Sequence, residues 1–191
     1  MAGVNRAIPK MWEMVAKSDR SERRPCIFIS HIKIDQGPAK DIGEFIRNDG
    51  DLDIYLDVYD SDLQKAVEDQ DPLGITRFVE RGLAKSDSLL CLVSENTISS
   101  WWVPYEIGFA KNAAKGIATL LLKDAVTLPA YLEIGRVLVD FIDLSSYMHT
   151  IGASRMQKVS KTTTSGSTTS SGLGKHLVLL RHKKDLKIVR D

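Results

Sequence analysis

Short apolar runs alternate with amphipathic stretches along most of this chain. CIFIS (26–30) is a continuous apolar run rich in β-formers and reads as a buried strand. The next stretch, about Ala39–Asn48, carries Ile42, Phe45 and Ile46 at helical spacing and predicts a helix with one buried face. Pro38 suits its first turn, and Asp49-Gly50-Asp51 ends it. LDIYLDV (52–58) reads as a second strand. YDSDLQKAVEDQDP (59–72) is acidic and polar and too long for a simple connector, which predicts a functional or mobile loop. A helix over about Leu73–Lys85 follows, with Ile75, Phe78, Val79 and Leu83 on its buried face. SLLCLVS (88–94) is apolar throughout and predicts a strand covered on both sheet faces. A further helix spans about Ser100–Lys115, stopped by Gly116. IATLLL (117–122) and RVLVDFIDL (136–144) read as a fourth and a fifth strand. This alternation predicts a parallel sheet with helices on both faces, the architecture that binds ligands at the carboxyl ends of its strands.

The ends of the chain read differently. Residues 1–24 form an adaptor segment: a short helix over Ile8–Lys17, then SDRSERR as a solvated linker. The central domain is expected over 25–150. Residues 151–174 include the Ser/Thr/Gly-rich run KTTTSGSTTSSGLG and predict a flexible linker. Residues 175–191 form a basic tail that could be a strand or a docking segment.

Composition narrows the class. The 191 residues carry a formal net charge of +1, so no global field recruits nucleic acid or membrane. No apolar run approaches the roughly 20 residues that cross a bilayer, and the start shows no signal-peptide core, which predicts a cytoplasmic protein. Cys26 and Cys91 sit in apolar runs and read as buried free thiols. His31, His149, His176 and His182 are scattered, so no metal site is expected. The chain contains neither a Walker-type nor a Rossmann-type glycine pattern.

The chemistry concentrates in SSWWVPYEIGFAKNAAKG (99–116) and at Ser30-His31. Pro104 suits a first helical turn, where the helix dipole favours an acid such as Glu106 by roughly 0.3–1 kcal/mol. Trp102 and Glu106 are four residues apart and share a helix face. Of Trp101, Trp102 and Tyr105, at least one is expected to pack into the core, with Trp101 the first candidate. A carboxylate in an aromatic pocket can stabilise or attack an oxocarbenium ion. A nicotinamide ribosyl bond suits such a lone carboxylate, because nicotinamide departs neutral without a second acid. Ser30 and His31 end the first strand, where a doubly wound fold places ligands. Asp35 is expected to cap the next helix.

These pieces resemble a TIR (Toll/interleukin-1 receptor) domain. CIFISHIKID is similar to that family's opening strand and loop, LDIYLDV to its second strand, and GITRFVERGLAKSDSLLCLVSENTISSWWVPYEIGFA to the stretch from its second to its third helix. The last segment is the most specific, because bacterial members carry S-x-x-W-V-x-x-E. The resemblance covers about Pro25–Leu144. It implies an α/β, flavodoxin-like sheet of five parallel strands in the order 2-1-3-4-5. It also implies cleavage of NAD, as substrate rather than cofactor, at the nicotinamide–ribose bond, giving ADP-ribose or a cyclic or base-exchanged product. The family's catalytic glutamate falls on Glu106, and its neighbouring tryptophan on Trp102. Ser30 and His31 fall on substrate-binding positions, and Asp57 and Tyr105 are counted with them. The gating and assembly loop falls on about Asp57–Gly74, although the animal signature R-D-x-x-P-G is absent there. A nearly stand-alone domain of this type is similar to the signal-producing component of Thoeris-like anti-phage systems. That implies TIR–TIR self-association, a phage-derived trigger and a separate effector switched on by the product. A non-catalytic TIR scaffold and a nucleoside deoxyribosyltransferase-like enzyme are the competing readings.

Overall fold

In a computed structural model of the chain, five parallel strands form one sheet in the order β2-β1-β3-β4-β5. The described residues are 2–18, 23–122 and 127–163, with side chains given up to residue 153. The strands are β1 (Cys26–Ser30), β2 (Asp53–Tyr55), β3 (Ser88–Val93), β4 (Gly116–Leu121) and β5 (Arg136–Leu138). The helices are α1 (Pro9–Lys17), α2 (Gln36–Asp49), α3 (Ser61–Glu68), α4 (Pro72–Ala84), α5 (Trp102–Asn112) and α6 (Phe141–Thr163). The alternation of strands and helices predicted the parallel sheet, and its flavodoxin-like order is the one the TIR resemblance implied. The part of the Ser/Thr/Gly run beyond Thr163 and the basic tail lie outside the described residues.

Strand parity divides the core into two halves, because successive side chains point to opposite sheet faces. Ile27, Ile29, Leu90 and Leu92 pack with Ile42 and Ile46 of α2 and with Leu144 and Met148 of α6. Cys26, Phe28, Leu89, Cys91 and Val93 pack with Leu63 of α3, Val79 and Leu83 of α4, and Val103 and Ile107 of α5. Phe28 stacks on Tyr55 at 5.6 Å, and α4 lies close over that pair. A Cβ at Gly82 would come within 2.5 Å of the Tyr55 ring, so the absence of a side chain there sets the distance between helix and sheet.

Several boundaries differ from the sequence expectation, each for a local reason. The acidic stretch after β2 is helical rather than a loop. Asp60 caps α3 by accepting from the Asp62 and Leu63 amides, and Leu63 and Ala66 give that helix a buried face. Asp71 caps α4 through the Gly74 amide, with Pro72 in the first turn. β2 stops at Tyr55 and a 3-10 turn takes over at Asp57–Tyr59. The predicted fifth strand is cut short at Leu138: the Asp143 amide donates to the Asp140 carboxylate, which caps the start of α6, and the Val139 amide donates to Asp143. Helix α5 ends at Asn112, before Gly116, and Ala114 adopts the left-handed conformation at φ 51° while Gly116 opens β4.

The N-terminal segment lies along the outer edge of β2. Asn5 pairs with Ile54 in parallel, the Ile54 amide donates to Val4, and the Arg6 amide donates to Ile54. The Arg6 guanidinium is buried against the Asp53 carboxylate at 2.9 Å, and also donates to the carbonyls of Lys85 and Arg24.

Candidate active site

β1 ends at Ser30, on the sheet face that α5 covers, and the register sets Ser30 beside Cys91 of β3. Across the other edge, Cys26 pairs with Asp53 and Phe28 with Tyr55. Continued beyond the strand, that register brings Asp57 level with Ser30. Helix α5 buries the stripe Val103, Glu106, Ile107 and Ala110 against this face. Glu106 is therefore a carboxylate inside an otherwise apolar stripe, 6% exposed, and the Ser30 hydroxyl donates to its Oε2. Glu106 and Ser30, 76 positions apart, meet at the carboxyl ends of the strands.

The dipole argument for Glu106 does not hold here. The first turn of α5 contains no acid, and the dipole's influence fades beyond that turn. The Ser100 hydroxyl instead caps α5 by accepting from the amides of Trp102 and Val103. Burial pushes the Glu106 pKa up from 4.5 to about 8; the Ser30 hydrogen bond pulls it down, and the nearby Asp57 charge pushes it further up. Among the described residues, no Arg, Lys or His forms an ion pair with Glu106. Burial also raises Asp57, opposed by His31 and by the Val58 amide. The Cys91 thiol is pushed up by burial first and by the Glu106 charge second.

His31 and Asp57 complete the cluster. His31 Nδ1 lies 3.6 Å from Asp57 Oδ1. The His31 side chain is 4% exposed and that of Asp57 is 25% exposed.

The aromatics depart from expectation. Trp101 is 92% exposed, and Trp102 and Tyr105 are each exposed by more than a third. None of the three packs into the core, because the buried stripe of α5 passes through Val103 and Glu106 instead. Trp102 meets Tyr105 edge to face at 6.0 Å, and the Tyr105 hydroxyl donates to Glu80 of α4.

Two polar networks escaped the sequence reading. Asp35 occupies the cap position of α2, yet its side chain makes no cap bond and accepts from Ser94 at 2.7 Å. This ties the loop after β1 to the loop after β3. Asp60 is held by Tyr55 and by Arg81, which also binds Asp62, so the segment after Asp57 is anchored to α4. A buried serine with no apolar role was the one available signal for Ser94. Among the described residues no group of three His, Cys, Asp or Glu side chains could hold a metal ion, and no helix is long and apolar enough to cross a membrane.

The family model described as "Thoeris protein ThsB, TIR-like domain" matches residues 28–126, a span that contains all six predicted site residues. The chain belongs to this ThsB TIR-like family. It is thus a TIR-domain protein of the Thoeris antiviral signalling type. Among solved structures, the IL-17 receptor B SEFIR domain is similar with a TM-score of 0.49 and 9% identity, over 69% of this chain and 96% of that one. A likeness at that level does not bear on function. A comparison with curated proteins gives no match. Within this ThsB-family domain, Ser30, His31, Asp57 and Glu106 converge at the end of the sheet, while Trp102 and Tyr105 stay partly exposed on the first turn of α5.

Proposed function

We propose that this ThsB-family protein cleaves NAD at the nicotinamide–ribose bond, with Glu106 as the catalytic carboxylate, and releases a cyclic or otherwise modified ADP-ribose signal. One observation carries the reading: Glu106 is a buried carboxylate with a hydroxyl partner and, among the described residues, no cation, at the carboxyl end of the sheet. Such a group lacks the positive charge that would satisfy it. The glycosidic nitrogen of NAD carries that charge. Its approach favours the ionised form of Glu106, and as the bond breaks the charge passes to the ribose as an oxocarbenium ion. The carboxylate is held in place by Ser30 and needs no reorganisation to stabilise that ion. Nicotinamide leaves with the bonding electron pair as a neutral molecule.

Ser30, His31 and Asp57 would line the ribose side of the site, with Trp102 and Tyr105 offering ring faces at its rim. The chain acts in the cytoplasm, self-associates through TIR–TIR contacts, responds to a phage-derived trigger and signals to a separate effector. Family membership supports each of these proposals.

The test is incubation of the full chain with NAD, with and without a crowding agent or phage lysate. Nicotinamide release and products are followed by mass spectrometry. Wild type is expected to release nicotinamide, and Glu106→Ala to lose at least about 10²–10³-fold of the rate. Equal release by Glu106→Ala would end this reading. Transfer between nucleosides with NAD untouched would favour a deoxyribosyltransferase-like enzyme.

A further inference from the structure

Asp57 has a feature that substrate holding alone does not explain. Its Oδ1 is buried and accepts no hydrogen bond, while the side chain as a whole remains a quarter exposed. His31 Nδ1 lies 3.6 Å from that oxygen, too far for a hydrogen bond. That histidine is itself enclosed and lies beside the Ile29 carbonyl at 3.4 Å. Asp57 is close enough to Glu106 for its charge to be felt there. This end of the sheet thus holds two carboxylates in different settings. Glu106 is enclosed and bonded to Ser30, whereas Asp57 has one inward oxygen awaiting a donor and an edge in contact with solvent. Buried acceptors are normally satisfied, and the donor that suits this one is a hydroxyl entering the site.

We infer that Asp57, whose inner oxygen has no hydrogen-bond partner and lies beside His31, is the general base that accepts the proton of the hydroxyl attacking the ribosyl cation. This inference rests on the NAD-cleaving reading of the site. The C1′–N bond breaks and its electron pair leaves with nicotinamide. An oxygen lone pair, from water or from a hydroxyl within the same ADP-ribose unit, forms the new C1′–O bond. The proton of that oxygen passes to Asp57 Oδ1 and then to solvent along the exposed edge of the carboxylate. His31 is a positioning residue: its ring favours the ionised form of Asp57 and never meets the reacting carbon. Glu106 serves departure and Asp57 serves capture.

The division predicts a dissociation between two kinds of nucleophile. A hydroxyl must lose a proton on attack. A pyridine nitrogen attacks with a free lone pair and loses none. The experiment supplies the full-length protein with NAD and 3-acetylpyridine and measures the exchange product against the hydroxyl-capture products, ADP-ribose and its cyclic isomers. In Asp57→Asn the ratio of exchange to hydroxyl capture is expected to rise by at least about tenfold over wild type. His31→Asn should move the ratio in the same direction by less. Retained exchange also shows that the variant is folded. An unchanged ratio, whether both activities persist or both fall together, would assign Asp57 to substrate binding or structure and overturn the inference. If Asp57→Asn loses all activity, the ratio in His31→Asn decides in the same way. If wild type yields neither nicotinamide nor exchange product, the NAD-cleaving reading itself fails and takes this inference with it.

Discussion

The two ends of the sheet treat a buried carboxylate in opposite ways. At the amino end, Asp53 opens β2 and is closed off by Arg6 at 2.9 Å and by the Val4 amide at 3.0 Å. At the carboxyl end, Glu106 is equally enclosed but has a serine hydroxyl where Asp53 has a guanidinium. One end has its counter-charge, and the other, among the described residues, has none. A group kept at a cost to stability in a fold of this kind is a sign that a ligand completes it.

Removing the partner at each end sharpens the contrast. Arg6→Ala strands Asp53 as a buried, uncompensated charge and is expected to lower stability by about 3–5 kcal/mol. Denaturant unfolding near neutral pH checks this, and the activity per folded molecule should stay unchanged. Glu106→Gln is expected to act in the opposite direction. The folded-state pKa of Glu106 is raised from 4.5 to about 8. The stability linked to its protonation is therefore full below about pH 4.5 and is lost as pH rises through 8. Glutamine does not titrate, so the variant should match wild type at pH 4 and exceed it at pH 9 by a few kcal/mol, at about 1.4 kcal/mol per pH unit. Melting curves at both values measure the difference. A stabilising effect of Arg6→Ala, or a destabilising effect of Glu106→Gln at pH 9, would remove the asymmetry.

Smaller effects bear on the open end alone. In the proposed reaction Glu106 acts in its ionised form, so kcat/KM for nicotinamide release should climb with pH through about 8. The profile of kcat should turn at lower pH, because bound NAD brings a positive charge. Ser30→Ala removes the hydrogen bond that lowers the Glu106 pKa, so the kcat/KM profile should move to higher pH. A shift to lower pH would mean that Ser30 stabilises the protonated form instead.

Much of the closed architecture was legible in the sequence, because burial on two faces forces continuous apolar strands such as SLLCLV. The parallel sheet followed from that alternation and its order from the TIR resemblance, while Glu106 was singled out by its spacing to Trp102 and by the S-x-x-W-V-x-x-E pattern. The environment of Glu106 was not legible. Aromatic neighbours in the chain suggested an aromatic wall, yet the chain turns Trp101 outward and sets Glu106 among Val103, Ile107 and Ala110. Helix α3 escaped detection because its buried face is only Leu63 and Ala66, and its anchor, Arg81, lies on the next helix. The Arg6–Asp53 and Asp35–Ser94 contacts join residues 47 and 59 positions apart, a distance that no local pattern encodes.

The same division of the sheet into two ends places a thiol at each. Cys26 begins β1 beside Ser86, and Cys91 sits in β3 level with Ser30; both are free and fully enclosed. Burial pushes both thiols well above their ordinary range, so neither reacts until the structure around it parts. The molecule therefore carries two natural clocks. The rate at which a thiol reagent consumes Cys26 times the breathing of the charge-paired end, and the rate for Cys91 times the breathing of the end that awaits a ligand.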